Sequence, residues 1–143
     1  MYQKILLAYD GTDQTAAALR QAAELARLCN AELHVLGVVA VSGADPIIQA
    51  ETPIDLFAVE REELHVALHA AAENLGKQGL SVVTSFRQGN PAHQIAEHAR
   101  EIGADLAVIG HTDKGFLARW LVGSTGAELV RHLPCNLLIS TRG

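Results

Sequence analysis

Aromatic residues make up only 4% of this chain: one Trp, two Tyr and three Phe. Single-stranded nucleic acid therefore has few faces on which to stack. Basic residues are scarce too. Eleven Lys and Arg stand against sixteen Asp and Glu, for a formal net charge of −5. They are scattered along the chain, so no basic stripe is available to neutralise a duplex backbone, and nucleic acid is not an expected partner. Cysteine occurs only as Cys29 and Cys135. Their separation has no C-x-x-C character, and both read as small, buried or half-buried hydrophobes. No run reaches the about 18 apolar residues of a membrane helix. The N-terminal Met1-Tyr2-Gln3-Lys4 leads straight into an apolar strand without signal-peptide architecture, so the cytoplasm is the expected location.

What is present is a globular composition. The chain has 143 residues, 49% of them hydrophobic and 19% charged. That length suits one domain, residues 1–143, with a core large enough to need no disulfide or metal staple. Ala, Leu and Val dominate, which favours helices packed closely on a sheet.

Ile5 to Tyr9 is a short apolar run ended by Asp10-Gly11-Thr12-Asp13. It reads as a strand buried on both faces. Leu19, Ala22, Ala23, Ala26 and Cys29 follow at helical spacing, with Thr12 or Asp13 as N-cap and Asn30 as stop. Leu33 to Val39 is a second buried strand, so the first forty residues form a right-handed βαβ unit.

Val41 to Asp55 contains Gly43, Pro46 and Pro53 without a clear period and reads as a long, mobile loop. A helix is predicted from about Leu56 to Leu75, with Leu64, Ala67, Leu68, Ala71 and Leu75 on one face and Gly76 and Gly79 at its end. Ser81 to Phe86 reads as a third strand. Gly89-Asn90-Pro91 then offers a cap and a first-position proline for a helix carrying Ala92, Ile95, Ala96, Ala99 and Ile102, stopped at Gly103. Leu106 to Ile109 is a fourth strand, Ser124 to His132 a short helix broken by Pro134, and Leu137 to Ile139 a last strand. Such alternation predicts an α/β fold with an open, doubly wound parallel sheet and helices on both faces. Its ligand crevice is expected beyond the strand C-termini.

The segment Gly110 to Thr125 carries the chemistry. It follows a strand and precedes a helix. Gly110 and Gly123 allow close backbone approach to an anion, the helix start offers unpaired N–H groups, and Ser124 and Thr125 add hydroxyls. His111 lies within this loop, where it can reach a phosphate. Neither G-x-x-x-x-G-K-[ST] nor G-x-G-x-x-G is present. Taken alone, the segment reads equally well as a phosphate cradle or as tight turns followed by a helix cap.

At this point the chain resembles a known family, the universal stress proteins, along essentially its whole length. The residues carrying the resemblance are Lys4-Ile-Leu-Leu-Ala-Tyr-Asp10-Gly11-Thr12, Gly89-Asn-Pro91 with Ile95, Ala104-Asp-Leu106-Ala-Val-Ile-Gly110, and Arg131-His132-Leu-Pro134-Cys135. Nucleotide-binding members carry G-x2-G-x9-G-[ST]. Gly110, Gly123 and Ser124 match that pattern in register, and Asp113 stands where it has its second glycine.

The resemblance implies strand order 3-2-1-4-5 and a bound ATP or AMP. It places Asp10 on the ribose, the Val38 backbone on the adenine edge, and Gly110, Gly123, Ser124 and Thr125 around the phosphates. It also implies a homodimer formed through the last strand, and a regulatory role in stress. Asp113 opens three alternatives: its carboxylate repels phosphate, it ligates a nucleotide-bound Mg2+, or it is a solvated loop carboxylate with the pocket empty or holding another small molecule. A nucleotide-free dimer acting as an interaction module is the alternative function.

Other candidates carry less. His65 and His69 share a helix face but lack the H-E-x-x-H carboxylate, and His93 and His98 are spaced poorly for ligation. Ser124, His111 and Asp113 have the residue types of a hydrolytic triad without the G-x-S-x-G elbow. No dedicated phosphoryl-transfer base is apparent, so any ATP hydrolysis is expected to be slow.

Overall fold

A computed structural model describes residues 1–39, 56–110 and 124–140. Strand β1 (Lys4–Ala8) leads into α1 (Asp13–Cys29) and β2 (Glu32–Val39). Helix α2 (Leu56–Lys77) precedes β3 (Val82–Gln88), and α3 (Pro91–Ile102) precedes β4 (Leu106–Gly110). Helix α4 (Ser124–His132) and β5 (Asn136–Ser140) complete the described residues. The strands form one five-stranded sheet in the order β3-β2-β1-β4-β5, parallel throughout.

The local reasons for these elements are visible. Thr12 has extended backbone and its side chain accepts from the Thr15 N–H, so it caps α1. Asn30, with φ 53°, closes the helix in the left-handed region that Asn tolerates better than most residues. Asn90 caps α3 through a bond from the His93 N–H at 3.0 Å, with Pro91 next to it and Gly103 at φ 69° after the last turn. Helix α2 runs past the expected Leu75 to Lys77. Gly76 lies inside it, and Gly79, at φ 87°, follows its end. Strands β2, β3 and β5 are each longer than the apolar runs that announce them: Glu32, Gln88, Asn136 and Ser140 pair in the ladder though their side chains are polar.

Alternation along the strands builds two cores. Ile5, Leu7, Leu33, Val35 and Val108 face α1 and α2, where Ala18, Ala22, Ala26, Leu64 and Leu68 meet them. Leu6, Ala8, Leu36, Val38 and Ile109 face the other way, onto Ala92, Ile95 and Ala99 of α3 and Leu129 of α4. The alanine stripe of α1 lets that helix sit close to the sheet. At the N-terminal end of β1, the Asp105 carboxylate accepts from the backbone N–H groups of Gln3 (2.8 Å) and Lys4 (3.1 Å), tying β4 to β1.

The predicted loop from Val41 to Asp55 lies outside the described residues. No described helix is long and apolar enough to cross a membrane.

Candidate functional site

Strand β1 stops early. Ala8 is level with Leu36 of β2, and Leu7 with Val108 of β4. Strand β2 continues through Gly37, Val38 and Val39, and β4 continues to Gly110. The C-terminal edge of the sheet therefore has a notch above β1, walled by β2 and β4. Helices α1 and α2 cover one face below it and α3 and α4 the other, so the notch is the switch point where the crossovers diverge.

The backbone of β2 presents hydrogen-bonding groups to this notch. Glu32 N–H donates to Gln3 C=O and Tyr9 N–H to Leu36 C=O, each at 2.9 Å. Leu33 N–H donates to Ser81 C=O at 2.9 Å, and Gly89 N–H donates to Val39 C=O at 3.0 Å. Even-numbered residues of β2 thus turn their backbone groups to β1, and odd-numbered ones to β3. Val38 follows the even pattern but lies beyond the end of β1. Its N–H and C=O face the notch, where no described strand runs beside them, while its side chain is buried against α3 and α4.

Asp10 stands on the floor of the notch, directly after β1. Its Oδ1 accepts from the Thr12 N–H (2.9 Å), the Thr12 hydroxyl (2.6 Å) and the Thr15 hydroxyl (2.7 Å). Its Oδ2 is buried and has no hydrogen-bond partner among the described residues. Gly11 makes the turn at φ 81°, and a Cβ there would lie 3.0 Å from Ala67 of α2.

Gly110 ends β4 beside Ser140, and it is buried. Because β5 is parallel to β4, α4 must start at the same end of the sheet as the notch. Ser124 and Thr125 form that start. His111, Asp113 and Gly123 lie outside the described residues, so the structure brings together Asp10, the Val38 backbone and Gly110 and adds the first turn of α4. Among the described residues, no group of three His, Cys, Asp or Glu is placed to hold a metal ion.

Thr15 is a site residue that pattern reading passed over, and Thr12, read as the cap of α1, also binds Asp10. The signal was Asp10 followed by Thr at the second and fifth positions, at the strand-to-helix junction where hydroxyls bond back to the turn. A second polar cluster also escaped it. On the α3 side of the sheet, Arg87 donates from Nε to Gln94 Oε1 (2.7 Å) and from Nη1 to Glu101 Oε2 (2.8 Å), with His98 Nδ1 at 3.3 Å. Desolvation pushes the His98 pKa below its ordinary value, and the Arg87 charge adds to the shift. His98 and His34 are both buried, and the His34 ring bonds Glu32.

Two of the discounted histidines have other employment: His65 stacks on Phe86 with centroids 4.3 Å apart, and His93 pairs with Glu97 at 3.2 Å. His65 is thus half-buried, where a plain helix-surface residue was expected. Both cysteines are free and half-buried. Burial, with Asp105 nearby, raises the Cys135 pKa, which argues against thiolate chemistry.

Comparison with known proteins agrees with the fold. The profile of the universal stress protein family matches residues 1–141. Universal stress protein YxiE of Bacillus subtilis is 34% identical over 147 aligned positions, covering 97% of this chain and 99% of that protein. Universal stress protein UspA from Lactobacillus plantarum superposes with a TM-score of 0.79 at 28% identity, over 98% of each chain. An Arabidopsis thaliana family member with AMP bound shares the fold at TM-score 0.71 and 16% identity, over 99% of this chain and 92% of its own. Two further structures sharing the fold, each 24% identical, hold cAMP and dAMP. A strand order of 3-2-1-4-5, a notch above a shortened first strand and a whole-length family match converge: this chain belongs to the universal stress protein family.

Proposed function

We propose that this chain binds an adenine nucleotide, ATP or AMP, in the notch above β1. It acts in the cytoplasm as a homodimeric regulatory protein of the stress response, as one domain spanning residues 1–143. The observation carrying this reading is Asp10: one carboxylate oxygen is saturated by hydroxyl and amide donors, and the other is buried and still in need of a donor. A ribose hydroxyl supplies such a donor. The Val38 N–H and C=O offer the donor–acceptor pair that an adenine edge requires. Gly110 and the N–H groups opening α4, with Gly123, Ser124, Thr125 and His111, would hold the phosphates at the β4 side of the notch. The fold accommodates AMP, cAMP and dAMP in the proteins named above, which supports the same use of it here.

Among the described residues of this arrangement no dedicated base for phosphoryl transfer stands out, and turnover of ATP is expected to be slow at most. Dimerisation is assigned to β5. It lies at one edge of the sheet, where unpaired backbone groups invite another strand, and Ile139 on it is 39% exposed.

Asp113 favours a second reading, a nucleotide-free dimer acting as an interaction module. Calorimetric titration with ATP and AMP, with and without Mg2+, separates the two. Binding by the wild-type chain supports the nucleotide reading. Binding that needs Mg2+ and weakens in Asp113→Gly makes Asp113 a metal ligand. Binding that strengthens in Asp113→Gly makes it a brake on phosphate. No binding by either protein leaves the interaction module.

A further inference from the structure

We propose that Thr15 is a positioning residue that turns Asp10 into a one-sided hydroxyl acceptor, selecting a ligand that carries sugar hydroxyls. The proposal rests on the nucleotide reading above and adds to it the residue that sets its sugar selectivity.

Rotation about the last bond of an aspartate is soft, and its two oxygens are equivalent unless the surroundings distinguish them. Here they are sharply distinguished. Oδ1 receives the Thr12 N–H at 2.9 Å, the Thr12 hydroxyl at 2.6 Å and the Thr15 hydroxyl at 2.7 Å, while Oδ2 has no partner among the described residues. The Thr12 contacts come from the turn itself, because Thr12 is also the N-cap of α1. Thr15 differs. It sits within the helix, is only 2% exposed, and reaches back across the cap.

Its hydroxyl has one proton and three acceptors in range, Asp10 Oδ1 at 2.7 Å, Thr12 C=O at 3.1 Å and Thr12 Oγ1 at 3.5 Å. The nearest of them, the carboxylate oxygen, takes it. Thr15, held by α1, thereby fixes the plane of the carboxylate, with one oxygen on these donors and the other turned away from them. Oδ2 is left as a buried acceptor of fixed direction. It accepts from a neutral hydroxyl and repels a phosphate. A nucleotide bound here is thus oriented with its sugar hydroxyls at β1 and its phosphates at β4.

The test compares AMP with 2′,3′-dideoxy-AMP by calorimetry on wild type, Thr15→Val, Thr15→Ala and Thr15→Ser. Wild type should prefer AMP by about tenfold or more, as expected for a hydrogen bond to a charged group. Thr15→Val and Thr15→Ala should lose that preference while binding the dideoxy compound as wild type does, and Thr15→Ser should keep it. An unchanged ratio in Thr15→Val and Thr15→Ala, or a ratio lost equally in Thr15→Ser, overturns the role of Thr15. Wild type binding both compounds equally overturns Asp10 as the sugar acceptor but leaves nucleotide binding intact. Wild type binding neither sinks the nucleotide reading itself, and the assignment of a sugar-selecting ligand with it. The positioning of Asp10 is then decided in ligand-free protein by its carboxyl carbon resonance. That resonance shifts in Thr15→Val and not in Thr15→Ser if the hydroxyl holds the rotamer, and stays still in both if it does not.

Discussion

The side chain of Leu68 occupies the space that a side chain on Gly37 would need: a Cβ built there lies 2.7 Å from Leu68 Cδ1 and 3.0 Å from Leu64 Cδ2. Gly37 belongs to the stretch of β2 that overshoots β1, and it faces α2. The close seat of α2 on the sheet thus depends on a missing side chain one position before Val38. Gly37→Ala should destabilise the fold by about 1–3 kcal/mol, the usual cost of overpacking. A urea midpoint that falls accordingly is the expected result. An unchanged midpoint would mean that α2 moves aside freely.

Stability should also depend on His98. Desolvation, and after it Arg87, holds its folded pKa below the ordinary 6.5, while nearby Glu101 acts in the opposite direction. The unfolded chain therefore binds a proton first as the solution is acidified, and unfolding takes that proton up. The contribution is fully present above pH 6.5 and is lost as the pH falls from there through the lower folded value. Urea midpoints measured from about pH 7 to about pH 5 should decline in the wild type and decline less in His98→Gln. Equal slopes in the two proteins would remove His98 from the account.

Asp113 sets a measurable electrostatic term. A carboxylate about 5 Å from one phosphate charge costs roughly 3 kcal/mol at an effective dielectric near 20. At 1.4 kcal/mol per factor of ten, that is about a hundredfold in affinity. If the carboxylate faces the phosphates without a metal, Asp113→Gly should tighten AMP binding by about that factor. A change below about twofold, with or without Mg2+, would place Asp113 away from the phosphates.

The β5 edge should carry self-association. Ile139→Lys places a charge on an exposed edge position, a common device against strand pairing. Sedimentation should show a dimer for wild type and a species near 15.2 kDa for the variant at the same micromolar concentration. A wild type already sedimenting at 15.2 kDa would contradict the dimer.

Local patterning alone was enough for the elements and their order. Apolar runs of four to eight residues, capped by Asp10-Gly11-Thr12 or Gly89-Asn90-Pro91, marked strands and helix starts because period and capping are properties of neighbouring residues. The resemblance carried by Lys4 to Thr12 and Leu106 to Gly110 then supplied the strand order and singled out Asp10 and Val38. The tertiary structure alone decided that β1 ends below β2 and β4, so that Val38, paired with Arg87 of β3 on one side, has no described strand beside it on the notch side. It alone showed that Thr12 and Thr15 load one oxygen of Asp10 and leave the other bare. It alone set Arg87 against His98 and Gln94, across the turn that joins a strand to the helix following it. Spacing records which residues share a face. The ends of strands, and the direction of a carboxylate, depend on partners that only folding brings within hydrogen-bonding distance.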